Sequence, residues 1–222
     1  QLRCTAAAAH DLRTRSASIR AQAHVALGAG AAERQRQHAL PSTLAGCDRA
    51  TRLAEQLLTL ARLEAAPTVD SARVDLGDLT RREAAGLAHD ALARHQVLEL
   101  DVAAPCSVAG PAPLLGVLIR NLIDNALRYS PDGAQVRVVL ESDAGHTVLR
   151  VQDSGPGMSQ AEMARLGERF YRVPGHEQPG SGLGWSIVKR IVAVLGAQVQ
   201  VGRSAALGGL AVEVRWSQQL PT

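Results

Sequence analysis

The spacing of apolar positions changes character once along this chain, near Pro67. Before it, Thr5, Ala9, Leu12, Ser16, Ile19, Ala23 and Ala26 recur in alternating steps of four and three, which predicts a helix with a thin coiled-coil-like seam. Leu53, Leu57, Leu60 and Leu63 mark a second helix, beyond a break at Leu40-Pro41-Ser42. Pro41 cannot continue the first helix, and Ser42 or Thr43 can cap the second. Two helices alone bury little apolar surface. The pattern therefore predicts a hairpin that completes a four-helix bundle with a second copy of the chain. A bare dimerisation stalk has the same periodicity.

After Pro67 helical and strand periods alternate. A helix is expected from Asp78, as its cap, to about Arg94. Strands follow at Val97 to Val102 and Cys106 to Ala109. Pro113 to Tyr129 reads as a helix with Leu114, Leu115, Leu118, Leu122 and Ile123 on its apolar face. Ser130-Pro131-Asp132-Gly133 is a turn signal. Strands at Gln135 to Glu141 and Thr147 to Gln152, a helix from Trp185 to Leu195, and closing strands at Gln198 to Gly202 and Leu210 to Trp216 complete the pattern, the last two flanking Gly208-Gly209. The fold class is α+β: a helical hairpin over residues 1–66, a linker at 67–73, and a two-layer α/β sandwich over 74–222.

Composition narrows the functions such a chain can serve. With 46% hydrophobic and 20% charged residues, a packed core is feasible and wholesale disorder is excluded. Tyr129, Phe170, Tyr171, Trp185 and Trp216 are the only aromatic residues. That is too few for a base-stacking surface, and Ala, Leu and Val must fill the core. The net charge is +3, from Arg residues interleaved with Asp and Glu and a single Lys, Lys189. No basic run predicts a nucleic-acid partner. Cys4, Cys47 and Cys106 lack metal-ligand spacing and are expected as free thiols. No apolar stretch reaches the roughly 20 residues that span a bilayer. Residues 1–10 lack a signal-peptide core and an initiator Met, so the sequence is expected to be a piece of a longer protein without membrane contact of its own.

Three clusters carry candidate chemistry. Asn121 and Asn125 share one helix face, with Arg128 and Tyr129 a turn further on. Amide oxygens can ligate Mg²⁺ beside phosphates, a guanidinium suits phosphate oxygens, and a tyrosine ring can cover a base. Asp153-Ser154-Gly155-Pro156-Gly157 follows a strand, and its carboxylate can accept from an exocyclic amine. Gly180-Ser181-Gly182-Leu183-Gly184 opens a helix, where free N–H groups and the helix dipole favour phosphate. It is neither a P-loop nor a dinucleotide fingerprint, since no Gly-Lys-Ser/Thr follows and Trp185 stands where a third glycine is needed. Taken singly, the clusters also read as exposed amides, an Asp-Gly turn and a flexible turn.

Their order, with Glu168-Arg169-Phe170-Tyr171-Arg172 between the two glycine clusters, resembles the ATP-binding domain of sensor histidine kinases in the gyrase-like ATPase superfamily. Arg120 to Pro131, Asp153 to Gly157, Arg169 to Arg172 and Gly180 to Val188 look like its four nucleotide boxes. His10-Asp11-Leu12-Arg13-Thr14 resembles the phosphoacceptor box of the same family. The resemblance runs from Thr5 to Trp216 and fits the orthodox transmembrane class, whose sensor and membrane spans lie outside this sequence.

This resemblance implies a mechanism. His10 attacks the γ-phosphorus of ATP, Asp11 acts as its acid/base partner, and Thr14 positions water for a reverse phosphatase reaction. ATP is held by Asn121, Asn125, Arg128, Tyr129, Asp153, Gly155, Gly157, Phe170, Gly180, Gly182, Leu183 and Gly184, with Mg²⁺ on Asn125. Asp153 selects adenine, and the segment between Gly157 and Gly180 is a mobile lid. The implied partners are a second copy of the chain and the receiver domain of a response regulator. The implied location is the cytoplasmic portion of a membrane-anchored receptor. The phosphoacceptor helix departs from the family: Arg15 replaces a common proline, Ser16 an apolar residue, and Cys4 and Ala7 a bulky aromatic and an Asp. Gly28 and Gly30 each cost roughly 1 kcal/mol inside a helix. A competent ATP site on a marginal hairpin is expected. An ATP-binding scaffold without phosphotransfer, and an ATPase that spends turnover on conformational work, are the alternatives.

Overall fold

The computed structural model describes Cys47 and residues 72–103, 106–142, 145–166, 168 and 184–217. The chain divides into two compact units, Gln1–Arg62 and Leu63–Thr222. Every described residue except Cys47 belongs to the second. The expected hairpin therefore lies outside the described residues, apart from Cys47, which is helical and exposed.

The elements are β1 (Arg73–Asp75), α1 (Leu76–Ala85), α2 (Ala88–Ala93), β2 (Val97–Val102), β3 (Ser107–Ala109), α3 (Ala112–Tyr129), β4 (Gln135–Ser142), β5 (His146–Asp153), α4 (Gln160–Ala164), α5 (Gly184–Val194), β6 (Gln198–Arg203) and β7 (Leu210–Ser217). Strands β2, β4, β5, β7 and β6 form one sheet in that order, and β1 pairs with β3 in a separate ribbon. Only β2 and β4 run parallel; the other pairs of the large sheet are antiparallel.

Register sorts the two faces of this sheet. Val138 lies opposite Val151, which lies opposite Val212; Leu140 lies opposite Leu149, which lies opposite Val214. All six are buried. The alternating positions carry Arg137, Arg150, Glu213 and Arg215, with Glu213 paired to Arg150 at 2.9 Å and to Arg215 at 2.8 Å. One face is dry and the other is charged, as an antiparallel sheet permits. Helix α3 packs on β4 and β5, flanked by α1 and α5. Its Leu115, Leu118, Ile119, Leu122 and Ile123 meet the core with Ile187, Val188 and Ile191 of α5, all buried. Each such side chain contributes roughly 1.5–3 kcal/mol. The result is the expected two-layer sandwich, and Trp216 is the one aromatic among the buried core residues.

Several local expectations are corrected. Asp75, not Asp78, caps α1: its Oδ1 accepts from the N–H groups of Gly77 at 2.8 Å and Asp78 at 3.2 Å. Asp78 sits in the first turn and pairs with Arg81. The single helix expected to reach Arg94 is broken, because Gly86 closes α1 and Leu87 turns inward, 1% exposed, before α2 starts. Leu114 is only half-buried, and the buried stripe of α3 extends instead through Ala126 and Leu127. Strand β1 is too short to show a period. Helix α4 announces itself only by its capping box of Ser159 and Glu162. Among the described residues no helix is long and apolar enough to cross a membrane.

Candidate nucleotide-binding site

Two constellations form at opposite ends of the second half of α3. At the first, the helical repeat sets Asn121 and Asn125 on one face. Asn121 Nδ2 donates to the carbonyl of Val117 at 2.7 Å, which fixes the amide. Gly184, the first residue of α5, lies directly against both side chains. A Cβ added there would stand 3.1 Å from Asn121 Oδ1 and 3.4 Å from Asn125 Oδ1. The positive end of the α5 dipole therefore abuts the amide pair. Arg128 is tied to Asp124 one turn back on α3. Trp185 follows Gly184 with its indole Nε1 buried and without a hydrogen-bond partner among the described residues.

At the second constellation, Asp153 ends β5 and is 8% exposed. Its Oδ1 accepts from the N–H groups of Gly155 at 2.9 Å and Leu210 at 3.1 Å, which leaves Oδ2 for another donor. Burial pushes the carboxyl pKa up, and these two N–H groups partly oppose the shift. The Asp153 carbonyl accepts from Gly209 N at 3.1 Å. A Cβ on Gly209 would fall 2.3 Å from Asp153 Oδ1 and 2.7 Å from Gly155 N, so no side chain fits there. Gly157 holds φ +73°, which favours glycine. Gly155 leans on the end of α3, where an added Cβ would be 3.2 Å from Ser130 Oγ and 3.3 Å from the Tyr129 carbonyl.

The structure thus brings Asn121, Asn125 and Gly184 together, and separately Tyr129, Asp153 and Gly155, with Gly157 on the same turn. Both groups hang on α3. His10, Asp11, Thr14, Phe170, Gly180, Gly182 and Leu183 lie outside the described residues, as does the Arg169 to Arg172 segment. Gly209 escaped the sequence reading as a site residue. Its only signal there is the Gly208-Gly209 pair between two strands, which reads equally as a hairpin turn. Among the described residues no cluster of three or more His, Cys, Asp or Glu side chains could hold a metal. Amide oxygens at Asn125 suit an ion that keeps most of its oxygen ligands from phosphate and water.

A helix-backed mixed sheet, with amides facing a glycine helix start and a buried carboxylate at a strand end, is a two-layer α/β sandwich with a candidate ligand site at each end of one helix segment. Residues 110–220 match the family described as "Histidine kinase-, DNA gyrase B-, and HSP90-like ATPase". The sensor protein QseC of Salmonella typhi is 41% identical over 216 residues, covering 96% of this chain and 47% of the relative. A solved structure of the mycobacterial sensor histidine kinase MprB is 32% identical, with a TM-score of 0.60 over 66% of this chain and 97% of that one. The histidine kinase ThkA in complex with response regulator protein TrrA has the same fold, with a TM-score of 0.76 over 98% of this chain and 61% of that one, at 13% identity. The chain belongs to the histidine kinase-, DNA gyrase B- and HSP90-like ATPase family, on its sensor histidine kinase branch. It spans about half the length of the curated relatives it matches.

Proposed function

We propose that this chain is the catalytic core of a sensor kinase that phosphorylates itself on His10 with ATP and passes the phosphoryl group to an aspartate of a response regulator. The observation that carries the reading is the close approach of Gly184 to Asn121 and Asn125. It aims a helix N-terminus at two amides on a helix whose far end meets a buried carboxylate. The phosphate chain lies at the Asn121–Gly184 end, and the adenine amino group donates to Asp153 Oδ2. Asn125, with Asn121 beside it, would hold Mg²⁺, which would supply neutralisation of the phosphate charge. Arg128 exchanges its bond to Asp124 for a phosphate oxygen.

In the transfer step the unprotonated ring nitrogen of His10 attacks the γ-phosphorus in line. An N–P bond forms, the bond to the bridging oxygen breaks, and ADP departs. Asp11 takes the proton from the other ring nitrogen, so the phosphohistidine is left neutral at the ring. Thr14 orients water for the reverse, phosphatase reaction. Residues 1–66 form the dimerisation and phosphoacceptor hairpin, 67–73 the linker and 74–222 the ATP-binding domain. The working unit is a homodimer in the cytoplasmic portion of a membrane-anchored receptor, with no nucleic-acid partner.

Incubation with γ-labelled ATP and Mg²⁺ tests the reading. The wild-type chain acquires acid-labile, alkali-stable label, and His10→Gln does not. ATP binding without label would favour a scaffold, and ATP turnover without label a conformational ATPase. Either result, or label retained by His10→Gln, overturns the kinase reading.

A further inference from the structure

The C-terminal end of α3 is held in an uncommon way. The last carbonyls of a helix have no intrahelical donors, and a left-handed glycine cap usually answers some of them. Here the cap residue Ser130 is extended, at φ −90° and ψ 147°, and its hydroxyl lies beside Gly155. The same hydroxyl donates to the Ala126 carbonyl at 2.7 Å. Two side chains from the segment between α2 and β2 take the Leu127 carbonyl and the carbonyls of Ser130 and Pro131 just past the helix. Arg94 Nη1 donates to Leu127 O at 2.6 Å, its Nη2 to Ser130 O at 2.7 Å, and its Nε to Asp132 Oδ1 at 2.9 Å. Gln96 Nε2 donates to Leu127 O and Pro131 O, both at 2.9 Å, and to Ser130 O at 3.2 Å.

Backbone bonds reinforce the clamp. Gly133 N donates to Arg94 O at 3.0 Å and Val97 N to Ala134 O at 2.9 Å. His95, between the two clamping residues, takes φ +54°, the one positive value at a non-glycine among the described residues. Such backbone is strained and persists only where surrounding contacts hold it. Gln96 is 4% exposed, and its Oε1 is buried without a hydrogen-bond partner among the described residues. A buried orphan acceptor is itself unfavourable, so its burial marks a position set by the donor side of the amide. The cation on Arg94 also sits at the negative end of the α3 dipole.

We propose that Arg94 and Gln96 are positioning residues of the nucleotide site, a brace that fixes the end of α3 and thereby the base-binding turn at Asp153–Gly157. The route is short. The carbonyl of Tyr129 and the hydroxyl of Ser130 lie against Gly155, and Gly155 N donates to Asp153 Oδ1. Loosening the helix end displaces the turn that aims Asp153. The brace reaches neither Asn121 nor Gly184, so it governs the base end of the site and leaves the phosphate end alone. This inference rests on the nucleotide reading of the site given above.

The test measures dissociation constants of the full chain for MgATP and for adenosine, with thermal melting of each variant. Arg94→Met is expected to weaken both ligands by the same factor, about tenfold. Arg94→Lys, which keeps the charge but loses the fork, recovers part of the loss. Gln96→Met weakens both ligands less than Arg94→Met does. Arg150→Met, on the charged sheet face, controls for stability and leaves both constants unchanged. Wild-type affinity in a folded Arg94→Met variant, even one with a lowered melting point, overturns the brace, as does weakening of MgATP without weakening of adenosine. If Arg94→Met does not fold, Arg94→Lys and Gln96→Met decide: wild-type affinity in both overturns the brace. A wild-type chain that binds neither ligand takes down the nucleotide reading as well, whereas unaffected variants of a binding-competent wild type remove the brace alone.

Discussion

The two ends of the site are built by different means. At the Asn121–Asn125 end, side chains a helical turn apart face one glycine across a helix–helix contact. At the Asp153 end, three chain segments are packed backbone on backbone around one carboxylate: β5 supplies the carboxylate and a carbonyl that accepts from Gly209 N, the Gly155 turn one N–H, and the start of β7 another. A side-chain contact can yield by rotating about a bond, whereas a backbone contact moves only if a strand moves. The base end is therefore the more brittle of the two, and substitutions of matching size should separate them.

Gly209→Ala is expected to have the largest effect. Its Cβ would lie 2.3 Å from Asp153 Oδ1 and 2.4 Å from the Asp153 carbonyl. Overpacking of this kind costs about 3 kcal/mol, or a melting point lower by about 10 °C. ATP binding is expected to fall below detection. A melting scan and a nucleotide titration check both; a variant as stable as wild type would show that the β5–β7 junction yields freely.

Asp153→Asn comes next. It keeps an acceptor for Gly155 and Leu210 but places an amide donor against a donor ligand. ATP affinity is expected to drop about thirtyfold, equivalent to about 2 kcal/mol. Stability moves the other way. Because burial raises the folded pKa of Asp153, its contribution to stability is full below the unfolded value of about pH 4 and is lost as pH rises through the raised folded value. Near neutral pH Asp153→Asn is therefore expected to be at least as stable as wild type. ATP binding by wild type is expected to weaken as acid protonates the carboxylate. Denaturant melts at pH 3 and pH 7, paired with binding curves, check both signs.

Gly184→Ala breaks the other end more gently. The new Cβ meets Asn121 Oδ1 at 3.1 Å, and that amide is anchored to Val117 and must shift a few tenths of an ångström. A loss of about 1 kcal/mol in stability and a several-fold loss of ATP affinity are expected. An effect equal to that of Gly209→Ala would erase the contrast between the two ends. The neighbouring Trp185 offers a direct readout, since its half-buried indole should change emission when ATP binds to wild type.

Much of this contrast was legible in the sequence at one end and not at the other. Asn121 and Asn125 declare their shared face by spacing alone, and β4, β5, β6 and β7 declare themselves by alternation. Gly184 could be suspected from the glycine run. Gly209 could not, because its role depends on the register that sets β7 beside β5, a long-range pairing no local pattern encodes. The exchange of Asp78 for Asp75 has a local cause. Both are good caps in the same stretch, and the choice falls to packing: Leu76 is fully buried, with its N–H bonded to Cys106 O at 2.7 Å. Arg94 reads as the end of a helix, and Gln96 only as the residue before the strand that starts at Val97. Their clamp is invisible until the chain folds back on α3.

The smallest expected effect lies away from both ends and tests whether the contrast is specific to the site. Glu213 sits on the charged sheet face between Arg150 and Arg215. Burial alone would push its carboxyl pKa up, but hydrogen bonds and charge from the two guanidinium groups outweigh this and hold it below its ordinary value. Its contribution to stability is thus present above the unfolded pKa, near pH 4, and is lost as pH falls through the lowered folded value. Partly exposed pairs of this kind contribute little, about 0.5 kcal/mol. Glu213→Gln should lower the melting point by only about 1–2 °C at pH 7 and by less at pH 3. It should leave ATP affinity unchanged, because Glu213 points to the face of the sheet away from α3 and the two constellations it carries. A nucleotide defect in Glu213→Gln would mean that any loosening of β7 reaches Asp153, and the brittleness of the base end would then belong to the whole sheet rather than to Gly209 and its neighbours.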